Sequence, residues 1–111
     1  MDSINRRRYE RVAFFADLEI RESDTGRSCR GRSFDLSRGG IGFFSPRFLP
    51  VGTRARLTVY VRRQDRLVAA QVEGVVVRAT AESGGAIVGA AFTQELSPSG
   101  QPLLCECLDA R

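Results

Sequence analysis

From Val12 onward, apolar and polar residues alternate. Phe14, Ala16, Leu18 and Ile20 take one side of an extended chain, and Phe15, Asp17, Glu19 and Arg21 the other, the period of a half-buried strand. Ser23-Asp24-Thr25-Gly26 is turn chemistry that closes a hairpin into a second strand, about Arg27 to Leu36. Alternation there is weak, and Gly31 predicts a bulge or the close approach of a neighbour. Ser37-Arg38-Gly39-Gly40 reads as a turn in which glycine permits positive φ, leading into a short third strand, Ile41 to Phe44. Pro46 and Pro50 make a loop of Ser45 to Gly52. Ala55, Leu57, Val59 and Val61 then alternate with Arg54, Arg56, Thr58 and Tyr60 in a fourth strand. A polar turn, Arg62 to Asp65, precedes a long β-branched run from Leu67 to Thr80, in which Gly74 predicts a bend at a corner. After Glu82-Ser83-Gly84-Gly85, Ala86 to Phe92 forms the last strand. Phe14, Phe43 and Phe92 lie on alternating strands and are assigned to the core, not to a stacking platform.

Six strands joined by short turns, with no helix between them, argue for an all-β antiparallel barrel or sandwich. The end of the chain differs. Ser97 followed by Pro98 is an N-cap with proline at the first helical position, and Leu103, Leu104, Cys107 and Leu108 share one helical face. One C-terminal α-helix is expected at about 98–109, packed on the sheet by that stripe. Gly100 and Pro102 weaken its first turn and move its start toward Gln101. Residues 1–11 have no apolar periodicity and read as a flexible arginine-rich arm, which leaves 12–111 as the folded domain.

Composition narrows the function. A chain of 111 residues, 42% hydrophobic and 27% charged, is one ordinary globular domain. The net charge is +4, and all 17 basic residues are arginine, whose planar fork bonds bidentately as lysine cannot. That modest excess suits a small anion better than a long polyanion. Histidine is absent, which removes the commonest general base and metal ligand. No paired carboxylates, activated nucleophile or phosphate-cradling P-loop is present either, so an enzyme is not expected. Cys29, Cys105 and Cys107 are odd in number and lack C-x-x-C spacing, which points to free thiols in a reducing compartment. Met1 is followed by polar and basic residues with no apolar h-region. The longest uncharged run, Ser83 to Gln94, falls short of the roughly 20 residues a membrane helix needs. A cytoplasmic protein without a membrane span is expected.

Two stretches carry the chemistry. Arg6, Arg7, Arg8 and Arg11 are four guanidinium groups within six residues, and they repel one another unless water or an anion stands between them. Further on comes Asp35-Leu36-Ser37-Arg38-Gly39-Gly40. An R-x-x-x-R pair followed by D-x-S-x-x-G resembles the double signature of the PilZ family, and Val88-Gly89-Ala90-Ala91-Phe92 resembles that family's last strand. The resemblance spans nearly the whole chain. It implies a six-stranded antiparallel, Greek-key-like β-barrel that binds the bacterial second messenger cyclic di-GMP, with no metal or cofactor.

Cyclic di-GMP presents two phosphates and two guanines. Arginine bonds bidentately to phosphate oxygens and to guanine O6 and N7, and its flat face stacks on bases. By resemblance, Arg7 and Arg11 are the main clamp. Arg6, directly before the pair, accompanies a stacked dimer of the ligand in such proteins, and the same is expected here. Asp35 either accepts from guanine N1–H and N2–H or holds Arg7 or Arg11 by an ion pair. Ser37 offers its hydroxyl to a phosphate or caps its own turn, and Gly40 admits the ligand to the backbone. Arg8, Gly39 and Arg78 are further candidates: Arg8 strengthens the field, Gly39 serves the turn, and Arg78 faces the ligand or points outward. Arg38 is expected in solvent. The expected function is a stand-alone receptor or adaptor whose arm folds over the ligand and relays the signal to an unidentified partner protein. The alternative is a PilZ-like interaction adaptor that binds no nucleotide. Nucleic acid is not expected as a partner, because the arginines lack interleaved aromatics and 13 acidic residues nearly balance them.

Overall fold

The computed structural model describes residues 9–109, so Arg6, Arg7 and Arg8 lie outside the described residues. Strands β1 (Val12–Ala13), β2 (Asp17–Glu22), β3 (Ser28–Leu36), β4 (Gly40–Ser45), β5 (Arg54–Arg63), β6 (Arg66–Glu82) and β7 (Gly85–Phe92) are followed by one helix, α1 (Pro102–Asp109). Every pairing is antiparallel. The order runs β3-β2-β5-β6-β7-β4, and β4 returns to β3, so six strands close a ring and leave β1 on the edge of β3 beyond β2. The expected barrel with a single C-terminal helix is what forms. Closure removes the sheet edges that an open all-β domain would have to protect.

The inward phase of each strand supplies the core. Leu18, Ile20, Leu36, Ile41, Phe43, Leu57, Val59, Val76 and Val88 are all within 1% of full burial. Phe14 and Phe92 are half-buried against that core, as their alternation implies. β6 serves two neighbours, pairing with β5 through Val75 and with β7 from Gly74 onward. Gly74 therefore marks the corner, and a Cβ there would stand 2.9 Å from the Ala91 carbonyl oxygen. At Gly31 the expected close approach is found, since a Cβ would lie 2.2 Å from the Phe44 carbonyl oxygen.

Between β1 and β2 the ladder is interrupted, and a side chain fills the gap. Ser33 Oγ donates to the Phe14 carbonyl at 2.7 Å and accepts from the Ala16 N–H at 2.9 Å. That hydroxyl keeps β1, with Arg11 just before it, against β3. At the other end, Ser97 caps a separate turn: its Oγ accepts from Gly100 N–H at 3.1 Å and its carbonyl from Gln101 N–H at 2.7 Å. The helix starts only at Pro102, four residues after the Ser-Pro signal, because proline is best accommodated in a first turn. It buries Leu104 and Cys105 against the barrel. The half-buried Cys107 thiol is pushed above its ordinary pKa by burial, opposed by nearby Arg63 and reinforced by Glu106. A thiol held protonated in this way behaves as core filling.

Gly31→Ala is expected to destabilise the domain by about 1–3 kcal/mol or more, because backbone on β4 must move to admit the methyl. A urea midpoint equal to wild type would contradict the close approach.

Candidate functional site

Two extra residues shape one outer face of the barrel. On β3 the register against β4 shifts between Ser33 and Asp35, and on β6 the register against β7 shifts between Val76 and Arg78. Each shift is a β-bulge, which inserts one residue and reverses the in–out phase after it. Gly31 and Ser33 face inward, so strict alternation would bury Asp35. Val72, Gly74 and Val76 face inward, so it would bury Arg78 as well. With Phe34 and Val77 bulged out, both charged side chains emerge beside an exposed apolar neighbour. They terminate a single row across four strands, in which Asp35 pairs with Gly42, Gly42 with Gly89, and Gly89 with Arg78. The site is thus a glycine-floored strip with a charged side chain at each end.

At the β3 end, Arg11 is fixed. Its Nε donates to Asp35 Oδ2 and its Nη2 to Asp35 Oδ1, both at 3.0 Å, a two-pronged ion pair in which the carboxylate is the more covered partner. Of the two roles open to Asp35, the ion pair with Arg11 is the one seen. A Cβ at Gly42 would be 2.5 Å from Asp35 Oδ1 and 2.7 Å from the Phe34 ring, so any larger residue there would have to displace those side chains.

The β3–β4 turn is held by Ser37, which is 3% exposed. Its hydroxyl accepts from the N–H groups of Gly39 at 3.2 Å and Gly40 at 3.1 Å, and its own N–H donates to the Gly40 carbonyl at 2.9 Å. The hydroxyl is used inside its own turn. Neither Gly39 nor Gly40 has positive φ, contrary to the reading of this turn from sequence. What they supply is room. A Cβ at Gly40 would stand 2.5 Å from the Ala90 carbonyl oxygen, and one at Gly39 would stand 3.0 Å from the Tyr9 ring. Tyr9 lies over Gly39 and donates its hydroxyl to Glu95. Arg38 is exposed, as expected, while its carbonyl accepts from Leu96 N–H at 2.9 Å.

A groove of about 220 Å³ brings these parts together, lined by Tyr9, Arg11, Ser37, Gly39, Gly40, Val77, Arg78, Gly89, Ala90 and Ala91. Arg78 extends along Gly89 and pairs with no carboxylate among the described residues. Two larger concavities are less suited to an anion. One of about 370 Å³ contains Arg56, already bonded to Glu73 at 2.8 Å. The other, of about 410 Å³, sets Glu10, Glu95 and Asp109 against Arg38 alone among its charged lining. Charge, not size, selects the small groove.

Arg11, Asp35, Ser37, Gly39, Gly40 and Arg78 are therefore neighbours, whereas Arg6, Arg7 and Arg8 lie outside the described residues. Sequence reasoning passed over Gly42, Gly89, Tyr9 and Glu95. The two glycines carried a signal: each occupies the outward phase between buried apolar residues, Ile41 and Phe43 or Val88 and Ala90. No local signal reveals the Tyr9–Glu95 contact, which joins residues 86 positions apart.

Comparison with known proteins gives a consistent result. A family model described as the PilZ domain matches residues 5–109. In a search of curated proteins nothing matches. Among solved structures, the inhibitor of motility MotI/DgrA from Bacillus subtilis is 21% identical with a TM-score of 0.72, covering 94% of this chain but only 50% of its own length. The PilZ domain of YcgR from Escherichia coli, solved with c-di-GMP, is 18% identical with a TM-score of 0.72, covering 95% of this chain and 90% of that one. The PlzA protein from Borreliella burgdorferi, in complex with c-di-GMP, is 18% identical with a TM-score of 0.57, covering 96% and 40% respectively. At these identities the structural likeness is one of fold.

Ser37→Ala strips two N–H groups of their acceptor, one of them buried. It is expected to lower stability by about 1–3 kcal/mol without any ligand present. Ser37→Thr, which keeps the hydroxyl, is expected to recover most of that loss in the same denaturation experiment.

Proposed function

The chain belongs to the PilZ domain family, and from that premise we propose that it is a cyclic di-GMP receptor that passes the binding signal to a partner protein. The observation that carries this reading is the Arg11–Asp35 fork sharing one groove with Arg78, which has no carboxylate partner among the described residues. Two of the five N–H donors of Arg11 are engaged by Asp35 among the described residues, so the rest remain for a phosphate or a guanine edge. The carboxylate acts as a positioning group: it sets the plane of the guanidinium before the ligand arrives. Arg78 offers a second cation from the opposite side. At about 220 Å³ the groove is below the roughly 300–1,000 Å³ of an ordinary ligand site. In this reading Arg7 and Arg6 complete it from the arm, Arg7 closing the clamp with Arg11 and Arg6 supporting a second, stacked ligand molecule. Arg8 adds to the field.

Tyr9 gives the signal a route out of the site. Its ring rests on the Gly39 turn beside the groove, and its hydroxyl reaches Glu95, next to Leu96, in the segment that leads into α1. An arm that closes over a ligand displaces Tyr9 and alters the contact that ties the arm to the C-terminal segment. The surface offered to a partner then differs between the two states.

Isothermal titration with cyclic di-GMP tests the assignment. Arg11→Ala and Arg7→Ala are expected to abolish binding, and Arg11→Ala to leave the melting temperature close to wild type, since the Arg11 side chain is exposed. Arg11→Lys should fail almost as badly, because a point charge cannot make the fork. Two ligands per chain are expected at saturation, and a one-to-one end point would remove the stacked dimer. A wild-type chain that binds none leaves the interaction-adaptor alternative. For the relay, amide resonances of residues 95–109 should shift when ligand is added, and an unchanged spectrum there would refute the Tyr9 route.

A further inference from the structure

Gly89 is a glycine that packing among the described residues does not require. Among the 11 glycines of the chain, those at positive-φ turns are explained by backbone conformation. At Gly31, Gly40, Gly42 and Gly74 a Cβ would come within 3.0 Å of a neighbouring atom, and at Gly39 and Gly100 within about 3.1 Å. Gly89 stands apart. Its φ is unexceptional, and the three atoms nearest to an added Cβ all belong to the Arg78 side chain, at 3.5, 3.7 and 3.8 Å, which is ordinary van der Waals contact. Glycine in a strand interior is also unfavourable, because it forfeits side-chain packing and carries extra backbone entropy. A strand in a closed barrel accepts that penalty at Gly89 with no steric return among the described residues.

The position itself supplies the missing reason. Gly89 lines the groove, on the outward phase of β7, directly between Gly42 and Arg78 in the row that ends at Asp35. What covers it is the end of a flexible arginine. A flat group placed on a strand at van der Waals distance cannot coexist with a Cβ, which stands ~1.5 Å off the backbone. We propose that Gly89 is the floor of the binding site, on which one planar heteroaromatic base of the ligand lies in direct contact with the main chain while Arg78 moves to its edge or upper face. This assignment rests on the cyclic di-GMP reading and adds to it a residue outside both arginine and D-x-S-x-x-G motifs. Val77, 56% exposed beside Arg78, forms the apolar border of the same floor.

The test compares wild type, Gly89→Ala and Gly89→Val by thermal melting without ligand and by titration with cyclic di-GMP. The alanine variant should melt at or slightly above the wild-type temperature, since the methyl has room. It should bind about tenfold or more weakly, and the valine variant more weakly still. Equal affinity of wild type and Gly89→Ala overturns the proposal while leaving the receptor assignment intact. A Gly89→Ala variant that melts well below wild type also overturns it, by giving the glycine a packing role. Absence of binding by the wild type removes the receptor assignment, and the base-floor proposal with it.

Discussion

The period-two alternation of a β-strand is the constraint on which this site depends. In a closed barrel every strand has one buried phase, and a charged residue that falls on it must be neutralised, paired or moved. Asp35 and Arg78 both fall on that phase when counted from the start of their strands, and in each case one inserted residue moves the charge outside. The inserted residues, Phe34 and Val77, are apolar and are left 36% and 56% exposed. The barrel therefore gives up some apolar burial to bring two opposite charges onto one face, at the two ends of a row of four strands. Such exposure has no rationale in folding alone, and the two bulges flank the same groove.

Much of the architecture was legible because alternation is a local property. The six barrel strands, the Gly31 approach and the Gly74 corner follow from inward-phase residues and from glycines that interrupt them. Phase errors after a bulge are not local. Val75, Val76 and Val77 are three consecutive valines, so the sequence does not say which one is extra, and Arg78 stayed open between facing the ligand and pointing outward. The weak alternation of the second strand has another source: its inward phase carries Cys29, Gly31 and Ser33, which are small or polar, and the Phe34 bulge comes only after them. The helix start moved to Pro102 for a different reason: Ser97 caps a turn in either setting, and the sequence cannot distinguish a turn from a helix within its first residues.

Within the site, pairing separates the arginines. Arg32, Arg56 and Arg63 each meet a carboxylate on the barrel surface in ordinary cross-strand or helix–barrel contacts, and Arg47 ties the β4–β5 loop to Glu22 in a more covered pair. Exposed pairs of that kind contribute little to stability. Arg11 differs in geometry, not in having a partner. Its carboxylate grips two nitrogens in one plane, which restricts rotation of the guanidinium and lowers the entropy lost on meeting an anion. Among the described residues Arg78 is held by no carboxylate, which leaves its side chain able to follow a ligand. One fixed and one adjustable cation is an arrangement suited to a compact ligand with two phosphates.

The same β3–β4 pairing closes the barrel and builds the site, which limits what substitutions there can report. Ser37, Gly40 and Gly42 are wedged between strands, and changes to them disturb the turn or the ladder before any ligand is considered. A binding defect in such a variant is ambiguous, because loss of the fold and loss of the contact look alike at the groove. Arg11, Arg78 and Gly89 escape that coupling: two are exposed side chains, and a Cβ at the third would make ordinary contact with a flexible arginine. The residues of the short motif that are easiest to recognise in the sequence are thus largely those that shape the site. The groups free to touch a ligand are carried just before the barrel and on the two strands opposite.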